Sequence, residues 1–592
     1  MLHPVLSAAS GALLLSLPAF GQTATGTPAP AASPVLPGPV LDVRVLGADA
    51  LDPHLGDILL AYYRAEEAIG ADRNGDGDMQ DEVLVVFDRT SGLEHELGLA
   101  LVARDARPPR YEVTGPHVLL WVGEAEQGAT DLNGDGDQED AVLFWYDHST
   151  GVTANTGLAG DWSWIGFWVE GDVATFFVVE AAQGVDLSGD GDLDDWVLHV
   201  GHFGAGTLEN TLLCSAGNPR VEVDGDHVLV RTDEACYGPG GLDLNGDGDA
   251  SDAVLVDYDA ILRTYASPRV AVASTGWGIF PNGHGFAFVA SEAGEGLDLN
   301  GDGDQEDDVL HYYDRGTGQT TNHAFALWRE PVLHGDRAAF LAYEIANGVD
   351  YNLDGDQEDR VVHVVHLVTG FAWNTHLASY FTYPLLLDED ALAFVVLEWS
   401  QGGQDLNGDG DPDDYVLHWI DPQTGLPFNT ELAVASRYHL VAGRIVFGVH
   451  ESSQGHQDFT GDGDSHDTVL HVLDTSTGSL VNEGLPISLN AFQTLGDRLE
   501  VGVPEVNAGG TDLNGDGDAK DDVLFAARLG RGAPVATGWT TDGTSHWMLW
   551  EGGRIDAEGT FLFYVEEEEQ GDTDLNGDGD ATDRVLCLGR IR

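Results

Sequence analysis

Positive charge is almost missing from this chain. Its 592 residues include 25 lysines and arginines against 101 aspartates and glutamates, which gives a formal net charge of −76 at pH 7. Lys520 is the only lysine. Nucleic acids and anionic membranes are bound through lysine and arginine, which neutralise phosphate groups. The composition therefore excludes nucleic acid as a partner. A GC-rich genome, or adaptation to high salt, would also explain scarce lysine.

Cysteine and long apolar runs are scarce as well. Three cysteines are too few for a scaffold built on disulfides. Cys214 and Cys236 lie within one repeat unit and could pair, whereas Cys587 is expected to be a buried thiol in a terminal strand. No apolar run of the length of a membrane span occurs, so no transmembrane helix is expected. The 42% hydrophobic content is nevertheless ample for a large core.

The N-terminus has the composition of an export signal. Residues 1–22 contain a mostly apolar run, Ala12–Leu17, followed by small residues, which predicts a secretory signal peptide. Because only His3 could supply positive charge before that run, a misplaced start codon or a different kind of N-terminus stays open. Residues 23–39 are rich in proline and alanine and indicate a linker. We therefore expect a protein that is secreted or at the cell surface, or one that is periplasmic.

One acidic phrase, typified by D-L-N-G-D-G-D-x-x-D-x-V-L, occurs ten times at a spacing of about 55 residues. Its first residue, position 1, is Asp72, Asp131, Asp186, Asp243, Asp298, Asp350, Asp405, Asp458, Asp512 and Asp574. Repetition at a fixed period means one structural unit repeated ten times. The fold must therefore be interpreted at the level of the repeat.

Each phrase carries side-chain oxygens at four further positions. Position 3 is Asn74, Asn133, Ser188, Asn245, Asn300, Asn352, Asn407, Thr460, Asn514 and Asn576. Position 5 is Asp76, Asp135, Asp190, Asp247, Asp302, Asp354, Asp409, Asp462, Asp516 and Asp578. Position 7 is Asp78, Asp137, Asp192, Asp249, Asp304, Asp356, Asp411, Asp464, Asp518 and Asp580. Position 10 is Asp81, Asp140, Asp195, Asp252, Asp307, Asp359, Asp414, Asp467, Asp521 and Asp583.

These oxygens form the donor set that calcium prefers. Position 6 is always glycine, which allows the sharp turn that points successive side chains at one ion. Position 10 is the closing carboxylate. An EF-hand is excluded because position 12 is valine instead of glutamate. The alternative is a metal-free hairpin loop, but four or more acids in one loop would repel each other without a cation. The sequence predicts about ten structural Ca²⁺ ions.

The segments between the loops predict an all-β chain. In the unit Tyr383–Ala433, four short runs rich in valine, leucine and aromatic residues are separated by glycine, aspartate or proline, which is the pattern of strands and turns. Four strands per repeat at this period are typical of a β-propeller blade. We therefore predict a β-propeller of about ten four-stranded repeats over residues 40–592.

The two ends of the repeat region complement each other. The last unit, Gly559–Arg592, lacks a fourth strand, and a spare strand, Val40–Leu46, precedes the first unit. Pairing of the two would close the ring and remove two exposed edges. Two five-bladed rings are the alternative. The short step between the fifth and sixth loops leaves no room for a linker, which favours a single ring.

On these residues the chain resembles proteins with FG-GAP/VCBS-type repeats, such as the propeller of integrin α-subunits, whose calcium loops share a D-x-N-G-D-G-x-x-D core. The present loops differ by an added Asp at position 7, which moves the closing acid from position 9 to position 10. Regular FG and GAP signatures are absent. The resemblance implies calcium-braced propeller blades, which are often extracellular and adhesive.

Two more residues recur outside the loops. A glutamate ends the second strand of every unit, as Glu66, Glu124, Glu180, Glu234, Glu292, Glu344, Glu398, Glu451, Glu505 and Glu567. It would supply either a further oxygen near calcium or a hydrogen-bond acceptor for loop amides. A histidine recurs on the third strand, as His199, His311, His363, His418 and His471. A metal or catalytic histidine ring is disfavoured because equivalent positions of adjacent blades lie too far apart to share one ion.

No G-x-S-x-G, H-E-x-x-H, C-x-x-C or phosphate-loop motif occurs. The sequence therefore predicts a protein that is not an enzyme. The function favoured is a secreted, calcium-stabilised propeller that acts as a binding or adhesion module for an extracellular protein or glycan. The alternative is an extracellular carbohydrate-active enzyme, a hydrolase or lyase, that uses loop carboxylates.

Overall fold

The computed structural model describes residues 41–47, 51–56, 58–102, 110–160, 166–202, 205–216, 220–273, 278–379, 383–488, 492–541, 560–577 and 579–591. The predicted signal peptide (1–22) and linker (23–39) lie outside these residues. So do Asp578 of the tenth loop and most of the tryptophan-bearing segment 537–550.

The described chain is a succession of antiparallel units, here numbered blades 1 to 10. After strand β1 (Leu41–Gly47), blade 1 contains β2 (Leu51–Leu55), β3 (Leu59–Ala65), β4 (Glu82–Asp88) and β5 (Leu93–Ala100). Blade 2 contains β6 (Tyr111–Thr114), β7 (His117–Gly123), β8 (Ala141–Asp147) and β9 (Val152–Gly160). Blade 3 contains β10 (Trp168–Glu170), β11 (Val173–Val179), β12 (Trp196–His202) and β13 (Thr207–Ser215). Blade 4 contains β14 (Val221–Asp224), β15 (His227–Asp233), β16 (Ala253–Asp259) and β17 (Thr264–Ala266). Blade 5 contains β18 (Phe280–Pro281), β19 (Gly285–Ser291), β20 (Asp308–Asp314) and β21 (Gln319–Ala326).

The second half follows the same order. Blade 6 contains β22 (Val332–His334), β23 (Arg337–Tyr343), β24 (Arg360–His366) and β25 (Ala372–Ala378). Blade 7 contains β26 (Leu386–Leu387), β27 (Leu392–Leu397), β28 (Tyr415–Asp421) and the start of β29 (Leu426–Val441). Blade 8 contains the end of β29 with β30 (Arg444–His450), β31 (Thr468–Asp474) and β32 (Ser479–Pro486). Blade 9 contains β33 (Phe492–Leu495), β34 (Arg498–Pro504), β35 (Asp522–Arg528) and β36 (Val535–Thr540). Blade 10 contains β37 (Thr560–Glu566) and β38 (Arg584–Ile591).

Among the residues that the structure describes, helical structure is confined to single turns at the end of second strands. The α-helical turns are α1 (Glu66–Ile69), α2 (Glu180–Gln183), α3 (Glu292–Glu295) and α4 (Glu344–Asn347), and the 3₁₀ turns are Glu234–Cys236, Trp399–Gln401 and Glu451–Gln454. None of the helices among the described residues is long and apolar enough to cross a membrane. The prediction of an all-β propeller is confirmed.

The two middle strands of each blade form its core. In blade 3, every residue of β11 is buried, because both faces of this strand lie against neighbouring blades. A run that is apolar throughout, instead of alternating, is the expected pattern for a strand buried on both faces. Between the third and fourth strands the register shifts by a bulge, as between Val361 and His363 in blade 6. The same shift occurs in seven other blades.

The chain ends meet in blade 10. Strand β1 pairs antiparallel with β38, from Leu41 opposite Ile591 to Val45 opposite Cys587. The strand predicted to complete the last blade therefore does so. One apolar cluster joins blade 10 to blade 1, where Leu46 and Leu562 pack with Tyr62. The ring is thus closed by hydrogen bonds within one blade and by apolar contact with the next.

The apolar contacts also decide the number of rings. Ala287 of blade 5 and Phe340 of blade 6 belong to one buried cluster, and other clusters join each remaining pair of successive blades. Strand β29 passes without interruption from blade 7 to blade 8. The repeats therefore form one ten-bladed ring and not two five-bladed rings. Cys587 is a buried free thiol in β38, as predicted.

Deletion of residues 1–48 removes β1 and is expected to lower the melting temperature by at least about 2 °C, since burial of Leu46 alone contributes about 2 kcal/mol. The edge of β38 would then be free to pair with other molecules. Differential scanning calorimetry and size-exclusion chromatography measure both effects. Deletion of residues 1–38, which retains β1, is the control. Equal melting temperatures for the two proteins would contradict closure by β1.

Candidate metal sites

Each acidic loop connects the second and third strands of its blade, so the loops lie at the same end of every blade. Loop 7 shows how the sequence folds locally. Asp405 accepts hydrogen bonds from the amides of Gly408 (2.6 Å) and Gly410 (3.1 Å), and Asn407 accepts one from the amide of Asp409 (3.2 Å). Both glycines have positive φ, 81° and 108°, which glycine adopts at no steric cost. The loop therefore curls around its own polar side chains.

Carboxylates from separate parts of the loop meet beside the recurring glutamate. The following sets each place one oxygen per residue within 4.8 Å of all the others: Glu66, Asp78 and Asp81; Glu124, Asp137 and Asp140; Glu180, Asp190, Asp192 and Asp195; Glu234, Asp249 and Asp252. Positions 7 and 10 belong to all four sets and position 5 to one, whereas none of these four sets contains the aspartate of position 1. An oxygen-only donor set of this kind suits a hard cation such as calcium.

The position 10 aspartate is the least solvated acid of the loop. Asp195 is 4% exposed. Burial, together with the charges of Asp190 and Glu180, raises the pKa of Asp195 to about 7. Burial likewise raises the pKa of Asp81 and Asp140 to about 7 and that of Asp252, Asp307, Asp359, Asp414 and Asp521 to about 6. In the metal-free protein, ionising this carboxyl is therefore unfavourable.

The recurring glutamate holds the loop in place. All ten of these side chains are fully buried. In blade 6, one oxygen of Glu344 accepts the amides of Tyr351 (2.5 Å) and Asn352 (3.2 Å), and the other accepts the amide of Asp359 (3.1 Å). The same glutamate thus ties both ends of the loop together. The predicted role as an acceptor for loop amides is confirmed.

In six blades, the position 3 asparagine fastens its loop to the backbone of the next blade. The amide nitrogen of Asn352 donates to Asp359 (2.9 Å) and to the carbonyl of Ser400 in blade 7 (2.8 Å). The acceptor carbonyl lies two residues after the recurring glutamate of the next blade. The same bond joins Asn74 to Glu126, Asn133 to Ala182, Asn300 to Ala346, Asn407 to Ser453 and Asn514 to Glu569.

Where position 3 is not asparagine, another link occupies the junction. The side chain of Ser188 in blade 3 has no amide group, and at this junction the disulfide Cys214–Cys236 joins blade 3 to blade 4. The predicted pairing of these cysteines is confirmed. At the junction after Thr460, Asn507 of blade 9 donates its amide to Asp467 of blade 8. At both junctions the residue that forms the replacing link, Cys236 or Asn507, lies two residues after the recurring glutamate of the next blade.

A further junction residue was missed by sequence reasoning. Three residues after the glutamate, Gln183 accepts the amide of Ala159 (2.9 Å) and donates to the carbonyl of Gly157 (3.1 Å), both in blade 2. It thereby satisfies the backbone that the bulge of the preceding blade leaves unpaired. Equivalent glutamines are Gln127, Gln401, Gln454 and Gln570. The recurring pattern E-x-x-Q was the signal that could have revealed them.

The third-strand histidines are core residues. His363 is 2% exposed, its Nδ1 faces the carbonyl of Val361 (3.1 Å), and its ring stacks on Phe340 at 5.9 Å between ring centroids. Burial lowers the pKa of His363 to about 4, so its ring is neutral at physiological pH. The four other histidines stack on phenylalanines in the same way. The packing thus gives these histidines a structural role.

A cavity of about 370 Å³ lies beside the innermost strands of blades 2 to 4. Glu112, Trp168, Glu170 and Glu222 line it together with apolar residues. Trp168 is the described member of the tryptophan group at positions 162, 164 and 168. The cavity therefore combines an aromatic surface with carboxylate acceptors.

Comparison with solved structures agrees with the propeller fold. The chain is similar to the β-propeller domain of the Trilobed protease from Pyrococcus furiosus (9% identity, TM-score 0.28, 63% of this chain and 97% of that chain). It is also similar to TolB from Acinetobacter baumannii (10% identity, TM-score 0.23, 59% and 75%) and to dipeptidyl peptidase 4 from Porphyromonas gingivalis (11% identity, TM-score 0.33, 88% and 65%). No protein-family model and no curated protein matches the chain. The resemblance to FG-GAP/VCBS repeats therefore rests on the loop motif alone.

The comparison corrects one sequence-based prediction. The expectation that the chain is not an enzyme is contradicted, because most of the similar structures are peptidases or parts of peptidases. That expectation relied on missing local motifs, which says nothing about groups that come together from separate blades. At these identities the likeness concerns the fold alone, and it assigns no activity to this chain.

The raised pKa of the position 10 aspartate predicts an unusual pH dependence without metal. A carboxyl whose pKa is higher in the folded than in the unfolded state, about 7 against about 4 for Asp195, destabilises the fold as pH rises between these values. In a chelator, Asp195→Asn should therefore raise the melting temperature at pH 7.5 and leave it unchanged at pH 4. The exposed neighbour variant Asp194→Asn is the control. A lower melting temperature for Asp195→Asn at pH 7.5 would contradict the assignment.

The hydrogen bonds of Asn352 predict that even a nearly isosteric substitution of this residue lowers the stability of the protein. Asn352→Asp replaces a donor by an oxygen that faces Asp359 and the Ser400 carbonyl, so it should destabilise the chelated protein by about 1–3 kcal/mol. Urea unfolding in a chelator measures this difference. Gln357→Glu adds the same charge at an exposed position of the same loop and serves as the control. Equal losses in the two variants would mean that charge, and not the junction bond, is responsible.

Proposed function

We propose that this protein is an extracellular β-propeller that calcium stabilises at ten loops and that serves as a rigid binding or adhesion module for a protein or glycan. The observation that carries the calcium proposal is the convergence of buried carboxylates without a basic partner. In blade 3, one oxygen each of Glu180 and Asp195 is buried and has no hydrogen-bond partner. A buried, uncompensated charge is strongly unfavourable unless a cation accompanies it.

Calcium fits this donor set better than other common metals. It accepts six to eight oxygen ligands in flexible geometry, whereas Mg²⁺ demands a near-ideal octahedron and keeps several waters. Zinc and copper prefer nitrogen or sulfur donors, and the clusters at the loops of blades 1, 2 and 4 contain carboxylates only. The residues that would hold the ion are positions 5, 7 and 10 with backbone carbonyls, while positions 1 and 3 shape the loop. Calcium would supply charge compensation there.

Ion binding to the folded state alone raises stability by mass action. Extracellular modules typically bind Ca²⁺ at about 10⁻⁴ to 10⁻³ M, which matches the calcium level outside cells. Because most of the loops are hydrogen-bonded to the next blade, the expected gain is in the rigidity of the whole ring. A rigid ring is a suitable platform for recognition.

The cavity of about 370 Å³ beside the innermost strands is the described feature best suited to a ligand. The ring of Trp168 can stack on a sugar or an aromatic side chain, and Glu112, Glu170 and Glu222 can accept hydrogen bonds from hydroxyl or amine groups. This chemistry supports a neutral or cationic ligand and disfavours an anionic one.

Calcium titration into chelated protein tests the proposal. We expect native mass spectrometry to count close to ten ions per chain and calorimetry to show a large rise in melting temperature. Asp140→Asn removes a closing carboxylate and should lose one ion, whereas its exposed neighbour variant Glu139→Gln should keep all of them. An unchanged melting temperature with few or no bound ions would refute calcium stabilisation.

A further inference from the structure

The recurring glutamate has more binding capacity than its loop contacts use. In blade 1, one carboxylate oxygen of Glu66 accepts the amides of Arg73 and Asn74. The second oxygen is buried and has no hydrogen-bond partner. In blade 3, Glu180 shows the same division, with amides of Leu187 (2.5 Å) and Ser188 (2.7 Å) on one oxygen and none on the other. A buried carboxylate oxygen without a hydrogen-bond partner is rare in native proteins and needs an explanation.

The surroundings of this oxygen are negative. Oxygens of Glu66, Asp78 and Asp81 lie within 4.8 Å of one another, and those of Glu180 lie equally close to three aspartates. No lysine, arginine or histidine among the described residues forms a salt bridge with any of the ten glutamates. The arginine nearest to Glu66 in sequence, Arg64, instead pairs with Glu94 at 3.0 Å. The carboxylate therefore has hydrogen bonds on one side and only like charge on the other.

In blades 1 and 3, a purely structural acceptor would not need this charge, because one oxygen of the glutamate accepts both amides. Glutamine could accept the same two amides through its carbonyl oxygen, and its NH₂ group could donate to the position 10 aspartate. It would avoid the cost of burying a carboxylate among carboxylates. Yet glutamate occupies this position in all ten repeats, while position 3 of the loop varies among Asn, Ser and Thr. In blades such as blade 6, both oxygens accept loop amides, which by itself explains glutamate there. In blades 1 and 3, the second oxygen has no such amide and is left for a cation.

We infer that the recurring glutamate is a direct calcium ligand in blades 1 and 3, where Glu66 and Glu180 each place a buried oxygen without a hydrogen-bond partner beside positions 7 and 10. This inference rests on the proposed calcium function. The amides of loop positions 2 and 3 hold one oxygen and so aim the other at the ion. Each site then draws a ligand from the end of the second strand as well as from the loop. A further charged ligand raises calcium affinity.

The test compares Glu66→Gln with the matched control Glu67→Gln, whose side chain is exposed and adjacent. Native mass spectrometry at graded free calcium counts the ions in full-length protein. We expect Glu66→Gln to carry one ion fewer than the wild type at calcium levels that fill the other sites, with at least about a tenfold loss of affinity at that site. Glu67→Gln should match the wild type. In chelator, Glu66→Gln should melt at the same temperature as the wild type or higher.

Three results would overturn the inference or its basis. A full set of ions with unchanged affinity in Glu66→Gln would show that the glutamate only accepts amides. A lower melting temperature of Glu66→Gln in chelator, with ion number unchanged, would show the same. If Glu66→Gln fails to fold, Glu180→Gln repeats the test in blade 3, and failure of both to fold with and without calcium would also overturn it. Absence of bound calcium in the wild type would instead refute the proposed function.

Discussion

Repulsion among buried carboxylates is the constraint on which this structure depends. The ten loops collect their acids at one end of the blades, and the position 10 aspartates and the recurring glutamates lie at the boundary of the core. Hydrogen bonds from loop amides satisfy part of their acceptor capacity but none of their charge. The raised pKa of Asp195 reflects this uncompensated negative charge in the absence of a cation. Protonation of these acids, or the bound cation proposed above, would relieve this repulsion.

The same loops solve a mechanical problem of a large ring. Ten blades exceed the usual range of propellers, so each pair of blades meets at a shallower angle and needs precise registration. Apolar clusters alone are non-directional. The amide of Asn352 and the side chain of Gln183 add directional bonds from one blade to the backbone of its neighbour. Apolar contacts thus fill the space between the blades, and polar contacts set the alignment of one blade on the next.

Much of this architecture could be predicted from the sequence, because the same pattern of strands and turns recurs in ten units and a weak signal in one unit is supported by the others. The strand expected at Val40–Leu46 is β1, Leu41–Gly47, shifted by one residue. The single-turn helices after the glutamates escaped prediction because four residues are too short for a helical period. The short step between the fifth and sixth loops favoured one ring over two, and the apolar cluster that Ala287 and Phe340 share shows that blades 5 and 6 pack together. Whether the glutamate meets amides or metal depends on positions that only folding brings together.

The exceptions to the repeat explain how the loops and the ring are coupled. Asn352 donates at once to Asp359, a candidate calcium ligand, and to the next blade. Any change in the charge or position of that aspartate therefore also affects the hydrogen bond from Asn352 to the next blade. Ser188 breaks this link, and the covalent bond between Cys214 and Cys236 stands at the same junction. Thr460 breaks it again, and Asn507 restores a donor to Asp467 from the opposite side. Because the ring has no free edge among its described blades, a weak junction would strain its neighbours, and each missing amide is matched by another bond at the same place.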